Sequence, residues 1–139
     1  MSYNPHPYLA LLRTVFDGIE PLAVNSPAAM QVSLAKRTID YMAVQNGPAP
    51  ALRIKAFAPV RELLPAMAEL LPALAAVAEL KAVCDSCATD NFDRFFQLAG
   101  TVQRGLLGLG DPRATALSRS MARIEADYHG AIQAAYQGR

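Results

Sequence analysis

The sequence predicts an all-α fold, a single-domain bundle of five or six helices, mostly antiparallel, with a proline-kinked central helix. The 139 residues include 26 Ala and 17 Leu but only 8 Val, 5 Ile and no Trp. Ala and Leu favour helices, whereas β-branched and aromatic residues favour strands. One domain over residues 1–139 is expected, because domains usually contain about 100–200 residues. A hydrophobic fraction of 53% with 18% charged residues excludes intrinsic disorder.

The first helix is predicted from about Tyr8 to Glu20, and Pro21, which lacks an amide hydrogen, should end or kink it. Apolar residues recur on this segment at helical spacing, as on the core-facing side of an amphipathic helix. They are Leu9, Leu12, Phe16 and Ile19, with Leu11 and Val15 widening the face.

The second helix has clear signals at both ends. Ser26 can cap it, Pro27 suits its first position, and Asn46-Gly47 followed by Pro48 should end it. The predicted inner face is Val32, Ala35, Ile39 and Met42, with Leu34 and Tyr41 beside it; the predicted solvent side is Lys36, Arg37 and Asp40.

The middle of the chain, from about Leu52 to Ala88, is predicted to be helical but interrupted. Pro48-Ala49-Pro50 forms a short stiff connector before it. Prolines 59, 65 and 72 lie within it, and an interior proline costs about 3 kcal/mol. We therefore expect a break or kink near Pro65 or Pro72; the sequence does not decide at which of the three prolines the helix breaks. Small alanines in this segment favour close contact between helices.

Two further helices complete the predicted bundle. Thr89 and Asp90 can cap the fifth, which should stop at Gly108-Leu109-Gly110; Asp111 caps the last, with Pro112 at its first position. The apolar face of the fifth helix is predicted to be Phe92, Phe95, Phe96 and Ala99. The apolar face of the last helix is predicted to be Leu117, Met121, Ile124, Tyr128, Ala131 and Ala135. Outside that face lie Arg119, Arg123 and Asp127.

Charge and hydropathy exclude several classes of partner. Thirteen Lys and Arg against twelve Asp and Glu give a net charge of +1, whereas nucleic-acid binders usually carry a strongly basic face. The most apolar stretch contains charges and prolines, so no membrane span is expected. The chain begins without a signal-peptide pattern. Two cysteines then indicate reduced thiols, and we expect a cytoplasmic location.

Cys84-Asp-Ser-Cys87 is the recognisable chemical motif. Its spacing places both sulfurs on one side of a helical turn, which suits a disulfide, a shared metal, or two ordinary core residues. Zinc needs about four ligands, and His6 and His129 are the histidines that could supplement the thiolates. Neither has a paired ligand spacing, so no metal and no cofactor are predicted.

On its size, its helical composition and this CxxC pair, the chain resembles the alkylhydroperoxidase-D-like, carboxymuconolactone decarboxylase family. The resemblance covers residues 84–91 and implies a small helical, often oligomeric protein with redox-active cysteines. That family places a proton-relaying histidine four residues after the second cysteine, where this chain has Asn91. It also places a glutamate about three turns upstream, where this chain has Pro72 and Ala73.

The candidate catalytic residues are therefore Cys84, Cys87 and His129. Histidine is the side chain best suited to general base catalysis near neutral pH, and His129 lies at the edge of the apolar face of the last helix. A complete catalytic set is not visible in the sequence, so catalysis is not expected.

Three functions remain open. The first and favoured one is a non-catalytic helical protein that forms a homo-oligomer or acts as a companion subunit of a cytoplasmic enzyme. The second is a thiol-redox protein that uses Cys84 and Cys87. The third is a binder of a small apolar ligand between helices. The residues proposed to line such a cavity are Phe92, Phe95, Phe96, Met67 and Met121.

Overall fold

The structure, a computed structural model, describes residues 6–87 and 92–138. These residues form six helices and no strand, which confirms the predicted all-α bundle. The helices are α1 (His6–Ala23), α2 (Ala29–Asn46), α3 (Ala49–Leu70), α4 (Ala75–Ser86), α5 (Phe92–Gly108) and α6 (Pro112–Gln137). Within the described ranges, no helix has both the length and the apolar character needed to cross a membrane.

The contacts group the bundle into two compact units. The N-terminal unit runs from α1 to Pro50 and includes the last turns of α6 from Ile132, and the central unit comprises Ala51–Ala131. A single-domain helical bundle fits the six helices; the extent of that domain over residues 1–139 stays a prediction.

In the N-terminal unit, α1 and α2 form an antiparallel hairpin with a small apolar core. Leu9 and Phe16 of α1 pack with Ile39 and Ala43 of α2. Along one side of this core, charged residues of the two helices pair with each other. The pairs across the hairpin are Arg13–Asp40, Lys36–Asp17 and Lys36–Glu20.

The prediction that Lys36 and Asp40 face solvent is therefore wrong. Their side chains are only 17% and 23% exposed, because each reaches across to a charge on α1. Hydrogen bonding to Lys36 holds the pKa of Asp17 below its ordinary value. The pairs align the two helices in register, although exposed ion pairs contribute little to stability by themselves.

The ends of the first two helices follow local signals with small shifts. Pro21 lies inside α1, which ends two residues later at Ala23, because a proline in the final turn removes a single hydrogen bond. Ser26 Oγ accepts the Ala28 amide hydrogen at 3.2 Å, although regular helix begins at Ala29. The predicted end at Asn46 is confirmed.

The proline-rich middle breaks at one place among the described residues. Helix α3 continues through Pro59 and Pro65, and the chain leaves helical geometry around Pro72, between Leu70 and Ala75. A break or kink is predicted near Pro65 or Pro72, and the structure places it at Pro72. Pro50 belongs to α3 rather than to the connector. Proline is tolerated there because amide groups in the first turn of a helix have no hydrogen-bond partner within the helix, so its missing amide hydrogen costs nothing.

The core of the central unit is built from α3, α4, α5 and the first half of α6. Its largest fully buried side chains are Phe57, Val60, Met67, Leu80, Cys84, Phe95, Val102, Leu106 and Met121. Phe57, Phe92 and Phe95 form a ring cluster with centroids 4.8–5.6 Å apart. The ring cluster packs α5 against α3, and α4 joins the same core through Leu80 and Cys84.

The predicted boundary between the last two helices is confirmed. Helix α5 ends at Gly108, and Gly110 adopts φ +64°, a conformation that favours glycine. Asp111 Oδ1 then accepts the Arg113 amide hydrogen at 2.8 Å and caps α6. The predicted caps of α5, Thr89 and Asp90, lie outside the described residues.

Candidate functional site

The two cysteines lie together at the end of α4 but in different surroundings. Cys84 is fully buried in the core of the central unit. Cys87 is half-buried at the carboxyl end of the helix, in a left-handed conformation with φ 51°. Its thiol donates to the Cys84 carbonyl oxygen at 3.4 Å. Both are free thiols in the structure.

The electrostatic surroundings of Cys84 oppose ionisation. Burial raises the pKa of its thiol to about 11, and the nearby positive charge of Arg61 offsets only part of that effect. The attacking species in thiol chemistry is the thiolate. Cys84 is therefore a neutral thiol at physiological pH, which disfavours it as the attacking thiol of a redox pair.

His129 has different neighbours from the cysteines. Its ring lies on the exposed side of α6 and stacks on Phe96, with centroids 5.2 Å apart and an interplanar angle of 12°. It also meets the ring of Tyr128 edge-on at 5.5 Å. The predicted position at the edge of the apolar face is confirmed, and the histidine packs against an aromatic cluster rather than against a sulfur.

A carboxylate that was not predicted as a site residue accompanies His129. Glu125 lies one turn earlier on α6 and accepts a hydrogen bond from Gln103 Nε2 at 2.9 Å. Burial raises the pKa of Glu125, whereas the hydrogen bond from Gln103 and the charge of His129 lower it. The spacing of four residues could have revealed this neighbour. His6 was the other histidine considered, and its side chain lies outside the described part of the structure.

The described residues contain no group of three or more His, Cys, Asp and Glu side chains that could hold a metal ion. The aromatic and methionine residues proposed to line a ligand cavity lie instead in or against the packed core.

A groove of about 390 Å³ lies between α3 and α4 in the central unit. Its apolar lining consists of Leu64, Pro65, Ala68, Leu71, Pro72, Leu74, Val77 and Ala78, and its charged lining consists of Arg61, Lys81 and Asp85. Arg61 also lies next to the cysteine pair, since its Nη1 is 3.9 Å from Cys87 Sγ. Arg61 was not singled out in the sequence, because only the α3–α4 pairing places it beside residues more than twenty positions away.

The other prominent feature is an apolar strip on α1, which we call the α1 stripe: Tyr8, Leu11, Leu12, Val15, Ile19 and Leu22. All six side chains are at least 40% exposed. The stripe contains no charged residue. It includes four of the six apolar residues predicted for the face of this helix, whereas the other two, Leu9 and Phe16, pack against α2.

Comparison with protein-family models, curated proteins and solved structures finds no match to this chain. The resemblance around Cys84 and Cys87 is therefore supported by no family model.

Proposed function

We propose that the chain is a non-catalytic helical protein that self-associates, with the α1 stripe as the contact between two copies. The observation that carries this proposal is the exposure of a continuous apolar face on a helix whose other contacts are already made. Monomeric soluble proteins rarely expose a contiguous apolar patch larger than a few hundred Å². An uncharged strip of six large side chains on one helix is typical of an interaction surface.

The spacing of the stripe supports a helical partner. Tyr8, Leu12, Val15, Ile19 and Leu22 follow one another at intervals of four, three, four and three residues. This alternation keeps one face of a helix directed at a neighbouring helix, as in coiled coils. A second copy of α1 offers the same repeat, so the stripe is complementary to itself across a two-fold axis.

The rest of α1 already has partners within the hairpin. Leu9 and Phe16 contact α2, and Arg13, Asp17 and Glu20 form its ion pairs. The charges therefore lie away from the stripe, and two stripes can meet without repulsion. Gly18 borders the stripe, and a Cβ added there would meet nothing within 4 Å, so its backbone is open to close approach.

The apolar surface is large enough to support association. The exposed fractions of Leu11, Leu12, Val15, Ile19 and Leu22 amount to nearly three whole aliphatic side chains. Complete burial of one such side chain contributes about 1.5–3 kcal/mol. Burial of the stripes of two copies would thus contribute roughly 8–16 kcal/mol of favourable free energy. The loss of translational and rotational freedom on association opposes it by about 4–15 kcal/mol.

Light scattering coupled to size exclusion tests the proposal. The full chain at micromolar concentration should elute as a dimer or a larger species. Val15→Lys and Leu22→Lys should each weaken association at least tenfold, because a symmetric dimer carries each buried lysine twice. Both side chains are exposed, so circular dichroism should show unchanged helicity.

Leu34→Lys is the matched control. Leu34 is 53% exposed on α2, so the substitution introduces the same charge at another apolar surface position of the hairpin. It should leave association unchanged. Loss of association in this control, with Val15→Lys unaffected, would place the contact on α2 and overturn the assignment. A strict monomer would overturn self-association and leave the companion-subunit hypothesis.

A further inference from the structure

The groove between α3 and α4 has an apolar length and one charged end. The turn at Leu71–Leu74 closes one end, where α3 passes into α4. Arg61 lies ten residues before Leu71 on α3, and at 1.5 Å per residue the groove extends for about 15 Å between them. Lys81 and Asp85 lie on α4, away from the turn. A molecule lying along the groove would therefore have one end among aliphatic side chains and the other among charges.

The charged end has an excess of positive charge. Lys81 Nζ pairs with Asp85 Oδ2 at 3.0 Å along α4. Arg61 has no carboxylate within 4.0 Å among the described residues, and its Nη1 lies 3.9 Å from the sulfur of Cys87. A guanidinium group can receive a carboxylate through two parallel hydrogen bonds. The groove thus offers a site for an anion at the end opposite the turn.

Small residues keep the groove open. Ala68 on α3 and Ala78 on α4 line it and are exposed, as is Pro65. Larger side chains at these positions would fill the space between the helices. The volume of about 390 Å³ falls within the usual range for small-molecule sites, roughly 300–1,000 Å³.

We propose that this groove binds an unbranched aliphatic carboxylate of medium length, with its head group on Arg61 and its chain directed toward the Leu71–Leu74 turn. Groove length and charge carry the assignment. An extended chain of about ten carbons is shorter than the groove length of about 15 Å and so fits within it, and the anionic head group complements Arg61. The site is distinct from the α1 stripe and does not depend on self-association.

Isothermal titration with decanoate, kept below its micelle-forming concentration, tests the assignment, with decan-1-ol and decylammonium as probes of the same chain length. Decanoate should bind at least tenfold more tightly than either. Arg61→Gln should weaken decanoate binding about tenfold or more, because hydrogen bonds to charged groups are the stronger class, and should leave decanol binding unchanged. Lys55→Gln removes a positive charge from α3 outside the groove and should have no effect.

A second pair of variants tests the path of the chain. Ala78→Leu fills the groove and should weaken decanoate binding, whereas Ala82→Leu, at an exposed position of α4 outside the lining, should not. Equal affinity for decanoate and decanol, or an unchanged affinity in Arg61→Gln, would overturn the proposal.

Discussion

Gly105 of α5 lies directly against Leu74 at the turn between α3 and α4. A Cβ built on Gly105 would lie 3.2 Å from Leu74 Cδ2 and 3.3 Å from Leu71 Cδ1. These distances are shorter than ordinary carbon–carbon contacts of about 3.5–4.0 Å. The absence of a side chain at Gly105 therefore lets α5 support the two leucines that close the α3–α4 groove.

Gly105→Ala should consequently lack the stabilisation that alanine normally brings to a helix. Gly130→Ala on α6 is the matched comparison, because a Cβ there meets nothing within 4 Å. Gly130→Ala should raise the free energy of unfolding by about 0.8–1.0 kcal/mol, whereas Gly105→Ala should leave it unchanged or lower it. Urea denaturation of both variants measures the difference. Equal stabilisation would show that the leucines move aside without cost.

The two thiols should differ in reactivity. Because burial raises the pKa of Cys84 to about 11, we expect iodoacetamide at about pH 8 to modify Cys87 and to leave Cys84 intact until the protein unfolds. Peptide mass spectrometry identifies the modified residue, and Cys87→Ala should show almost no labelling in the native state. Labelling of Cys84 in that variant at the rate of a free thiol would contradict its burial and revive the redox hypothesis.

The same thiol should make stability fall at alkaline pH. The folded-state pKa lies above the ordinary value of 9.0. The contribution of the neutral thiol is therefore complete below pH 9 and is lost as the pH rises toward the folded-state value. Cys84→Ala should flatten this decline in thermal melts recorded across that range, whereas Cys87→Ala serves as the comparison. An identical decline in wild type and Cys84→Ala would show that the Cys84 thiol does not cause the loss of stability at alkaline pH.

Glu125→Gln should stabilise the protein at neutral pH. Burial raises the pKa of this carboxyl group, so its favourable contribution is present below its unfolded-state pKa and is lost as the pH rises through the folded value. A glutamine retains an oxygen that can accept from Gln103. Because Glu125 is only half-buried, solvent screening limits the gain to less than about 1 kcal/mol. Melting temperatures at about pH 7 should show the gain, and those at about pH 4 should not. Asp127→Asn, at an exposed position of the same helix, is the control.

Removal of the cap on α6 should lower stability. Asp111→Ala leaves the Arg113 amide without its acceptor, and we expect the melting temperature to fall by about 3 °C. Asp111→Asn should retain most of the stability, because asparagine also caps helices well. Hydrogen bonds from Arg113 lower the pKa of Asp111, so the wild-type advantage over alanine should be present above the ordinary pKa of an aspartate and lost as the pH falls through the lowered value. Equal melting temperatures for all three proteins would exclude a capping role.

The sequence by itself determined the elements whose signals are local. Asp111 and Pro112 at the start of α6, Gly108 at the end of α5 and Asn46 at the end of α2 act on the backbone within a few residues of their own positions. The all-α class follows for the same reason, since the helical preference of Ala and Leu does not depend on distant residues. Such features can be read from neighbouring positions.

Only the tertiary structure decided which apolar residues are covered. Leu9 and Leu12 belong to one predicted face, yet Leu9 packs against α2 while Leu12 stays 45% exposed. The burial of Cys84 and the position of Arg61 beside Cys87 likewise depend on how α3 packs against α4. Periodicity shows that a helix has an apolar side, but the width of the contact is set by the partner helix. In α1 the apolar side is wider than the contact with α2, and the apolar residues left uncovered form the α1 stripe.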